Sequence, residues 1–440
     1  MRLTGLSLRD FKALEKADLR LAPLTLLVGR NNVGKSSLLQ AAALVAQSAG
    51  EQRVVTVGQL VDLGQDVERL SRGYSRQSPM RPFIVGLQWQ SSVGEWNQSL
   101  PSAPITADFS AEFGPRGNVT SSIRYRTEAP LGRAVVLETD GNAGWLLSAD
   151  DLRSQTRNLP GIEKLRISHA VYSPWQMQPQ IPPLPVSIAG LDVGQSDAVR
   201  NYVLTALQPL AAGGLYSALQ AFRYVSSSRH VENSIFNLGQ VPSENPRTAS
   251  ELIDTLAYND HVLQAVSDRC LQLFGYKIDK DLIPDRKVSL VAITGNQRHN
   301  VVHVGAGLIQ TIWIITQLEL ARTPRPTWPQ QIVTTVGIEE PELHLHPAAQ
   351  PDIARMLVEF AKTLTLICTT QSEHLLESIL TLILEGALNP ADLAVYYVDG
   401  GKVEPMEVDD RGQIVGGLRG FFETNEEQLK RQIELMKRRD

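Results

Sequence analysis

The stretch VGRNNVGKSSLL sets Gly29, Gly34, Lys35 and Ser36 in the spacing G-x-x-x-x-G-K-S. That spacing serves phosphate chemistry. Consecutive backbone N–H groups turn inward around phosphate oxygens, and glycine supplies the backbone angles and the close approach. A helix starting at the loop points its positive end at the same anion. On this reading Gly29, Arg30, Asn31, Asn32, Val33, Gly34, Lys35, Ser36 and Ser37 cradle the phosphates of a nucleoside triphosphate. Lys35 reaches the β- and γ-phosphates, and the Ser36 hydroxyl ligates Mg2+.

A second cluster, VGIEEPELHLHP at residues 336–347, holds three carboxylates and two histidines. Glu and His this close suggest a transition-metal centre. His344 and His346 are alternate residues, however, and on an extended backbone alternate side chains point to opposite faces. A phosphate loop needs a strand whose terminal carboxylate holds magnesium. Two stretches compete for that role. AVVLETDGNAG ends in Glu138 and Asp140 but runs into a D-G-N turn, which reads as a hairpin. QIVTTVGIEE ends in adjacent Glu339 and Glu340, which suits one group tuning the metal shell and the next orienting the attacking water.

Strands and helices must carry these groups. Residues 3–8, 17–21 and 24–28 read as strands, and 36–47 as a helix with Leu38, Leu39, Leu44 and Val45 on its apolar side. Residues 83–147 alternate as an antiparallel meander, and SPWQMQPQIPPLPVS at 173–187 reads as a linker. Residues 196–223 and 248–274 are expected to be helical, followed by a hairpin of 288–294 and 301–304 around Gly295-Asn296. Then come a helix at 308–322, the proline-rich loop TPRPTWPQ, a strand at 332–338, a helix at 348–362, a strand at 364–369 and a helix at 374–384. A hairpin, LAVYYV-DGG-KVEPMEV, and a charged helix at 426–439 complete the pattern. Strands feeding helices at both ends imply an α/β class. The expected organisation is 1–175 and 285–440 as two parts of one head, with 176–284 as a helical insertion.

The 440 residues are 42% hydrophobic and 20% charged with a net charge of −5, ordinary for a globular chain with a full core. No global pull toward nucleic acid or anionic membrane is visible. Two cysteines far apart, Cys270 and Cys368, argue against a disulfide framework and against a Cys-based zinc site. The start lacks a signal-peptide core, and no apolar run reaches the ~18 residues a span requires. A cytoplasmic protein with no membrane partner is expected.

Three stretches together, GRNNVGKSSLL, VGIEEPELHLHP and ICTTQSEHLL, resemble the ABC-type ATPases of the RecF, SMC and OLD class, in particular OLD-like AAA ATPase heads without a Toprim nuclease. The resemblance covers 1–70 and 285–440 well and the middle loosely. It implies a P-loop NTPase ABC-type head with an antiparallel β subdomain and a helical insertion. It also implies that Glu339 is the magnesium-associated acid, Glu340 the catalytic base, and 341–347 an interface loop whose histidines bind no metal. The long span from Lys35 to Glu339 resembles split-head ATPases, and the absence of an N-K-x-D motif argues against small GTPases.

HVGAGLIQTIWIITQL resembles the variant signature V-G-x-G-x-x-Q, in which Gly305, Gly307 and Gln310 complete the nucleotide site of a second copy. The alternative is a hairpin-to-helix turn that needs glycine for geometry alone. One position departs from the family: Gln371 stands where relatives carry a histidine after two threonines. Glutamine donates a hydrogen bond but cannot become a cation, which implies slow hydrolysis, with His374 as a possible substitute. Gln59 and Gln65 are candidates for the Q-loop or simple loop residues. Arg229 in the polar stretch YVSSSRH has the chemistry to bind an anion, but reads better as a solvated arginine.

The expected function is a slow ATPase switch, a homodimer closing around ATP and Mg2+, in DNA repair or anti-phage defence. DNA is a possible partner. The tail after Gln371 is too short for a nuclease, so a separate nuclease or effector protein is expected. The alternative is a nucleotide-dependent scaffold with little turnover and no direct nucleic-acid role. A transporter ATPase fits less well.

Overall fold

The structure, a computed structural model, describes residues 1–48, 54–58, 60–75, 80–92, 104–115, 119–129, 133–139, 145–149, 165–167, 215–229, 231, 233–239, 243, 245–323 and 332–415. The linker at 173–187, the helix expected over 196–214, most of TPRPTWPQ and the charged helix at 426–439 lie outside these residues, as do Gln59 and Asp140. Contacts divide the chain into two compact units. The first is Met1–Leu21, Ser37–Tyr224 and Thr323–Val336; the second is Ala22–Ser36, Val225–Arg322 and Gly337–Asp440.

The first unit carries an antiparallel sheet of β1 (Arg2–Phe11), β2 (Leu14–Arg20), β4 (Phe83–Ser92), β5 (Pro104–Phe113), β6 (Val119–Ala129), β7 (Arg133–Thr139), β8 (Trp145–Ala149) and β9 (Leu165–Ile167). The order is β2-β1-β4-β5-β6-β7-β8-β9. Alternation decides which face is buried: Phe83, Val85, Leu87 and Trp89 of β4 point inward, as do Ile105, Ala107, Phe109, Ala111 and Phe113 of β5. Phe83 lies between Phe11 and Phe113, with ring centroids 5.2 and 4.8 Å away. The strand bearing Glu138, β7, is paired on both sides in this meander. The short helix α2 (Leu215–Gln220) leads into β10 (Phe222–Val225), so residues 222 and 223 are strand where helix was expected.

A mixed sheet runs in the order β10-β15-β16-β3-β17-β18, with β3 (Leu24–Val28), β15 (Thr335–Glu339), β16 (Thr365–Thr370), β17 (Leu393–Asp399) and β18 (Lys402–Met406). All five residues of β3, LTLLV, are buried, the pattern of a central parallel strand covered on both faces. It is parallel to β16 on one side and β17 on the other, with Val28 opposite Thr370 and Tyr397. A strand from the start of the chain is thus enclosed by strands from its last hundred residues.

The second unit also holds α3 (Ala249–Tyr258), α4 (Asp260–Phe274), α5 (Ala306–Arg322), α6 (Gln350–Ala361) and α7 (Glu373–Leu384). Thr248 and Glu251 form a capping box on α3, and Gly275, at φ 73°, ends α4. Nearly every residue of α5 from Leu308 to Glu319 is buried; its Glu319 is paired with Arg269 of α4 at 3.2 Å. Among the described residues no helix is long and apolar enough to cross a membrane.

The hairpin around Gly295 corrects one expectation. Its second strand is β14 (Gln297–Asn300), paired to β13 (Lys287–Thr294), while Val301–His303 forms a 3-10 turn. A two-residue turn makes Thr294 face Gln297, so the returning strand starts at once. Asn300 then stops it: its side chain accepts from the Val302 N–H and donates to Ser234 O and Ser289 Oγ. A further strand, β12 (Lys277–Ile283), pairs with the other edge of β13, which also takes β11 (Phe236–Asn237).

Candidate functional site

Three strand ends come together. The Glu340 N–H donates to Thr369 O at 3.0 Å, which sets the end of β15 beside the end of β16. Register then sets Thr370 beside Val28, the last residue of β3. The segments leaving these ends are Glu340 onward, Gln371 onward and the loop Gly29–Gly34. In open α/β sheets such carboxyl ends form the ligand crevice.

The loop from β3 has the backbone of an anion cradle. Gly29, Asn32 and Gly34 have φ of 150°, 62° and 107°. Gly29 is also pressed against β17, where an ideal Cβ would collide with the Val398 carbonyl oxygen. Left-handed residues among right-handed ones turn successive N–H groups toward one side, the arrangement that receives phosphate. At its end Lys35 opens α1 (Lys35–Ser48). Its ammonium donates to Gly29 O at 2.7 Å and Arg30 O at 2.6 Å, so it is held across the loop. Burial lowers the Lys35 pKa from the usual lysine range; the charges of Glu340, Glu342 and Glu339, in that order, oppose the shift. Three carboxylates therefore stand within electrostatic range of this ammonium. Arg30, Asn31 and Asn32 are exposed at the loop tip, Val33, Gly34 and Ser36 are partly buried, and Ser37 is buried.

The acidic turn is held from several sides. Glu339 is buried, and its Oε2 accepts from the backbone N–H and the hydroxyl of Ser227 at 3.0 and 3.1 Å. Glu340 sits at φ 42°, a left-handed conformation costly for a residue with a side chain. Strain of this kind persists only where the surroundings fix it. Here the Glu340 N–H is bound to Thr369, and its carbonyl accepts from Arg229 at 2.9 Å and from the Leu343 N–H at 3.1 Å.

The profile of the family described as "AAA domain, putative AbiEii toxin, Type IV TA system" matches residues 24–377. The chain belongs to this family. No curated protein matches this AAA domain in sequence. Among solved structures it is similar, at 12% identity, to an Smc head bound to the C-winged helix domain of ScpA, with a TM-score of 0.48 over 92% of this chain and 97% of that one. It is similar, also at 12% identity, to the SMC head domain from Thermotoga maritima, with a TM-score of 0.41 over 93% and 100%. A third, at 12% identity, is the Pyrococcus furiosus Smc head with an extended coiled coil bound to the C-terminal domain of ScpA; the TM-score is 0.44 over 92% and 95%.

Within this AAA domain Glu342, in the stretch 341–347, is turned inward. It is buried, and its Oε1 accepts from Thr370 Oγ1 at 2.6 Å and the Gln371 N–H at 3.3 Å, while the buried Oε2 has no partner among the described residues. Burial raises its pKa above the usual carboxylate range, against the opposing pull of Thr370 and the two backbone N–H groups. The stretch 341–344 is a turn rather than an extended strand, with His344 at φ 63°. Both histidines are exposed, and His346 Nδ1 accepts from the Ala348 N–H at 3.2 Å. Gln371 is exposed after β16, and exposed His374 lies in the first turn of α7, which Ser372 caps. Gln65 is exposed in the first unit. Cys270 and Cys368 are free, buried thiols.

Arg229 corrects the sequence reading most sharply. It is 2% exposed, not solvated. Its Nη2 donates to Glu339 O and Glu340 O at 3.0 and 2.9 Å, and its Nε donates to Gln310 Oε1 at 3.0 Å. Burial pushes its pKa down to about 10, opposed by Glu339, Glu342 and Glu340. Gln310, expected at a nucleotide, is likewise 2% exposed, its carbonyl turned to this arginine. Gly305 and Gly307 open α5 differently. Gly305 is exposed with open space where a Cβ would stand; at Gly307 a Cβ would lie 2.8 Å from His344 O and 2.9 Å from Leu345 Cδ2. Sequence reasoning also missed Ser227. The only local signal for this segment is an arginine and three serines directly after a strand.

Proposed function

We propose that this AAA domain binds ATP with Mg2+ at Gly29–Ser37 and hydrolyses it slowly as a dimer in an anti-phage defence or DNA-repair system. The observation that supports the reading best is Glu340, held in a strained conformation at a strand end within electrostatic range of Lys35. The donor set fits both groups. The cradle of Gly29, Asn32 and Gly34 suits phosphate, and the Ser36 hydroxyl and Glu339 carboxylate are the hard oxygens magnesium takes. Magnesium, when bound, neutralises charge across the phosphates.

The residues divide the work. Lys35 has three donors and spends two on the loop, so one remains for a phosphate oxygen. Arg30, Asn31, Val33 and Ser37 contribute backbone and side-chain polar groups around it. Glu340 orients water and accepts its proton, and Gln371 donates toward the γ-phosphate without adding charge. Gly305 and Gly307 are offered to the nucleotide of a second copy, and Gln310 serves that helix start from behind. In this role 1–175 and 285–440 are parts of one head, and the expected insertion 176–284 lends it β10, Ser227 and Arg229. The family description, which names a toxin–antitoxin system, favours defence over repair.

Steady-state ATP turnover and nucleotide affinity of wild type and Lys35→Ala test the reading. Loss of both with Lys35→Ala supports it. Retained binding refutes the phosphate-loop assignment, and Lys35-dependent binding without turnover supports a scaffold instead. Stimulation of turnover by DNA, weakening with salt, brings nucleic acid in as the partner.

A further inference from the structure

We infer that Arg229 is a positioning residue that transmits the state of the α5 start to the Glu340 turn, an inference that rests on the functional reading above. The start of α5 touches that turn at two points. At Gly307 the helix backbone comes so near His344 and Leu345 that no side chain fits between them. Three residues on, Gln310 accepts from Arg229 Nε, and Arg229 Nη2 is shared between the carbonyls of Glu339 and Glu340. One planar guanidinium therefore spans α5 and the acidic turn, with the bonds leaving from fixed positions on a rigid fork.

Little slack exists downstream. The Leu343 and Leu345 N–H groups donate to Glu340 O and Glu342 O at 3.1 and 3.0 Å, and Glu342 in turn holds Thr370 and Gln371. A small shift of α5 relative to β15 is thereby delivered both to Glu340 and to the segment after β16. Upstream, Gly305 and Ala306 are exposed at the head of the same helix. A second copy's nucleotide seated on that exposed glycine would be registered at Glu340 through Gln310 and Arg229. Among the described residues Arg229 Nη1 and Glu342 Oε2 are both buried without partners, so the cluster has spare hydrogen-bonding capacity for a second arrangement.

The test compares wild type with Arg229→Lys, Arg229→Met, Gln310→Met and the Arg229→Met/Gln310→Met pair. The readouts are affinity for a fluorescent ATP analogue, Lys35-dependent turnover, and amide hydrogen exchange over residues 339–345. Lysine keeps the charge but not the fork. Expected are turnover lower by about 10- to 100-fold in each single variant with affinity unchanged, faster exchange of the Leu343 and Leu345 amides, and a double variant no worse than Arg229→Met. Unchanged turnover, affinity falling in step with turnover, or additive losses overturn the inference. Gln310→Met leaves the arginine–carbonyl bonds in place, so it decides the matter if Arg229→Met does not fold. If wild type has no Lys35-dependent turnover, the functional reading falls while exchange still decides this one: faster exchange in Gln310→Met upholds the link, and unchanged exchange removes it.

Discussion

Glu342 Oε1 accepts the Thr370 hydroxyl at 2.6 Å, while its buried Oε2 has no partner among the described residues. A buried carboxyl in this position binds its proton more tightly in the folded chain than in the unfolded one. The folded state then holds more protons above the ordinary carboxyl pKa of 4.5, so the stability from this group is present below that pH and is lost as pH rises through the folded pKa. Glu342→Gln keeps an acceptor for Thr370 and Gln371 and removes the charge. Its melting temperature, relative to wild type, should rise with pH from about the usual carboxyl pKa upward. A pH-independent difference between the two proteins would remove the ionisation argument.

Gly29 is fixed twice, by its φ of 150° and by the Val398 carbonyl oxygen where a Cβ would stand. Gly29→Ala should cost about 2 kcal/mol or more in denaturant unfolding and abolish nucleotide binding. Gly64, with a φ of 83° but open space at its Cβ, supplies the control: Gly64→Ala carries backbone strain only and should leave binding intact.

The left-handed Glu340 separates stability from chemistry. Glu340→Gly and Glu340→Ala both delete the carboxylate, but only glycine relieves φ 42°. The glycine variant should be more stable than the alanine variant by about 1 kcal/mol in denaturant midpoint analysis, with turnover absent from both. Glu340→Gln should bind ATP, accumulate as an ATP-bound dimer and lose roughly 10²- to 10⁴-fold in turnover. Normal turnover in that variant assigns the base elsewhere.

Ser227 orients Glu339 with two donors to one oxygen. Ser227→Ala deletes one donor and leaves the backbone N–H. The Mg2+ concentration for half-maximal turnover should rise by about 10-fold, as for other lost supports of metal-binding groups. A Mg2+ titration that superimposes on wild type would separate Ser227 from the metal.

The loop 29–34 between β3 and α1 and the acidic end of β15 were legible as structure because each is local: a glycine spacing between an apolar strand and a helix, and two carboxylates closing an apolar run. The α/β class followed from the same strands. Arg229 was not legible, because Gln310, Glu339 and Glu340 are each more than eighty residues away in sequence and a serine-rich flank suggests solvent. Glu342 misled for a related reason: in sequence it stands among exposed histidines, but the turn at 341–344 rotates it inward. The strand β12, KIDKDLI, went unread because most of its residues are charged, and pairing with β13 rather than apolar content makes it a strand.

The position of β3 between β16 and β17 sets a schedule for synthesis. The loop that ends in Lys35 leaves the ribosome early, but the two strands flanking β3, and the Val398 carbonyl against which Gly29 packs, are translated some 340 to 370 residues later. Until then LTLLV lacks the two strands that flank it in the sheet. A prematurely terminated chain lacks the neighbours that shape its phosphate loop. Nucleotide binding is therefore expected only of chains made through β17.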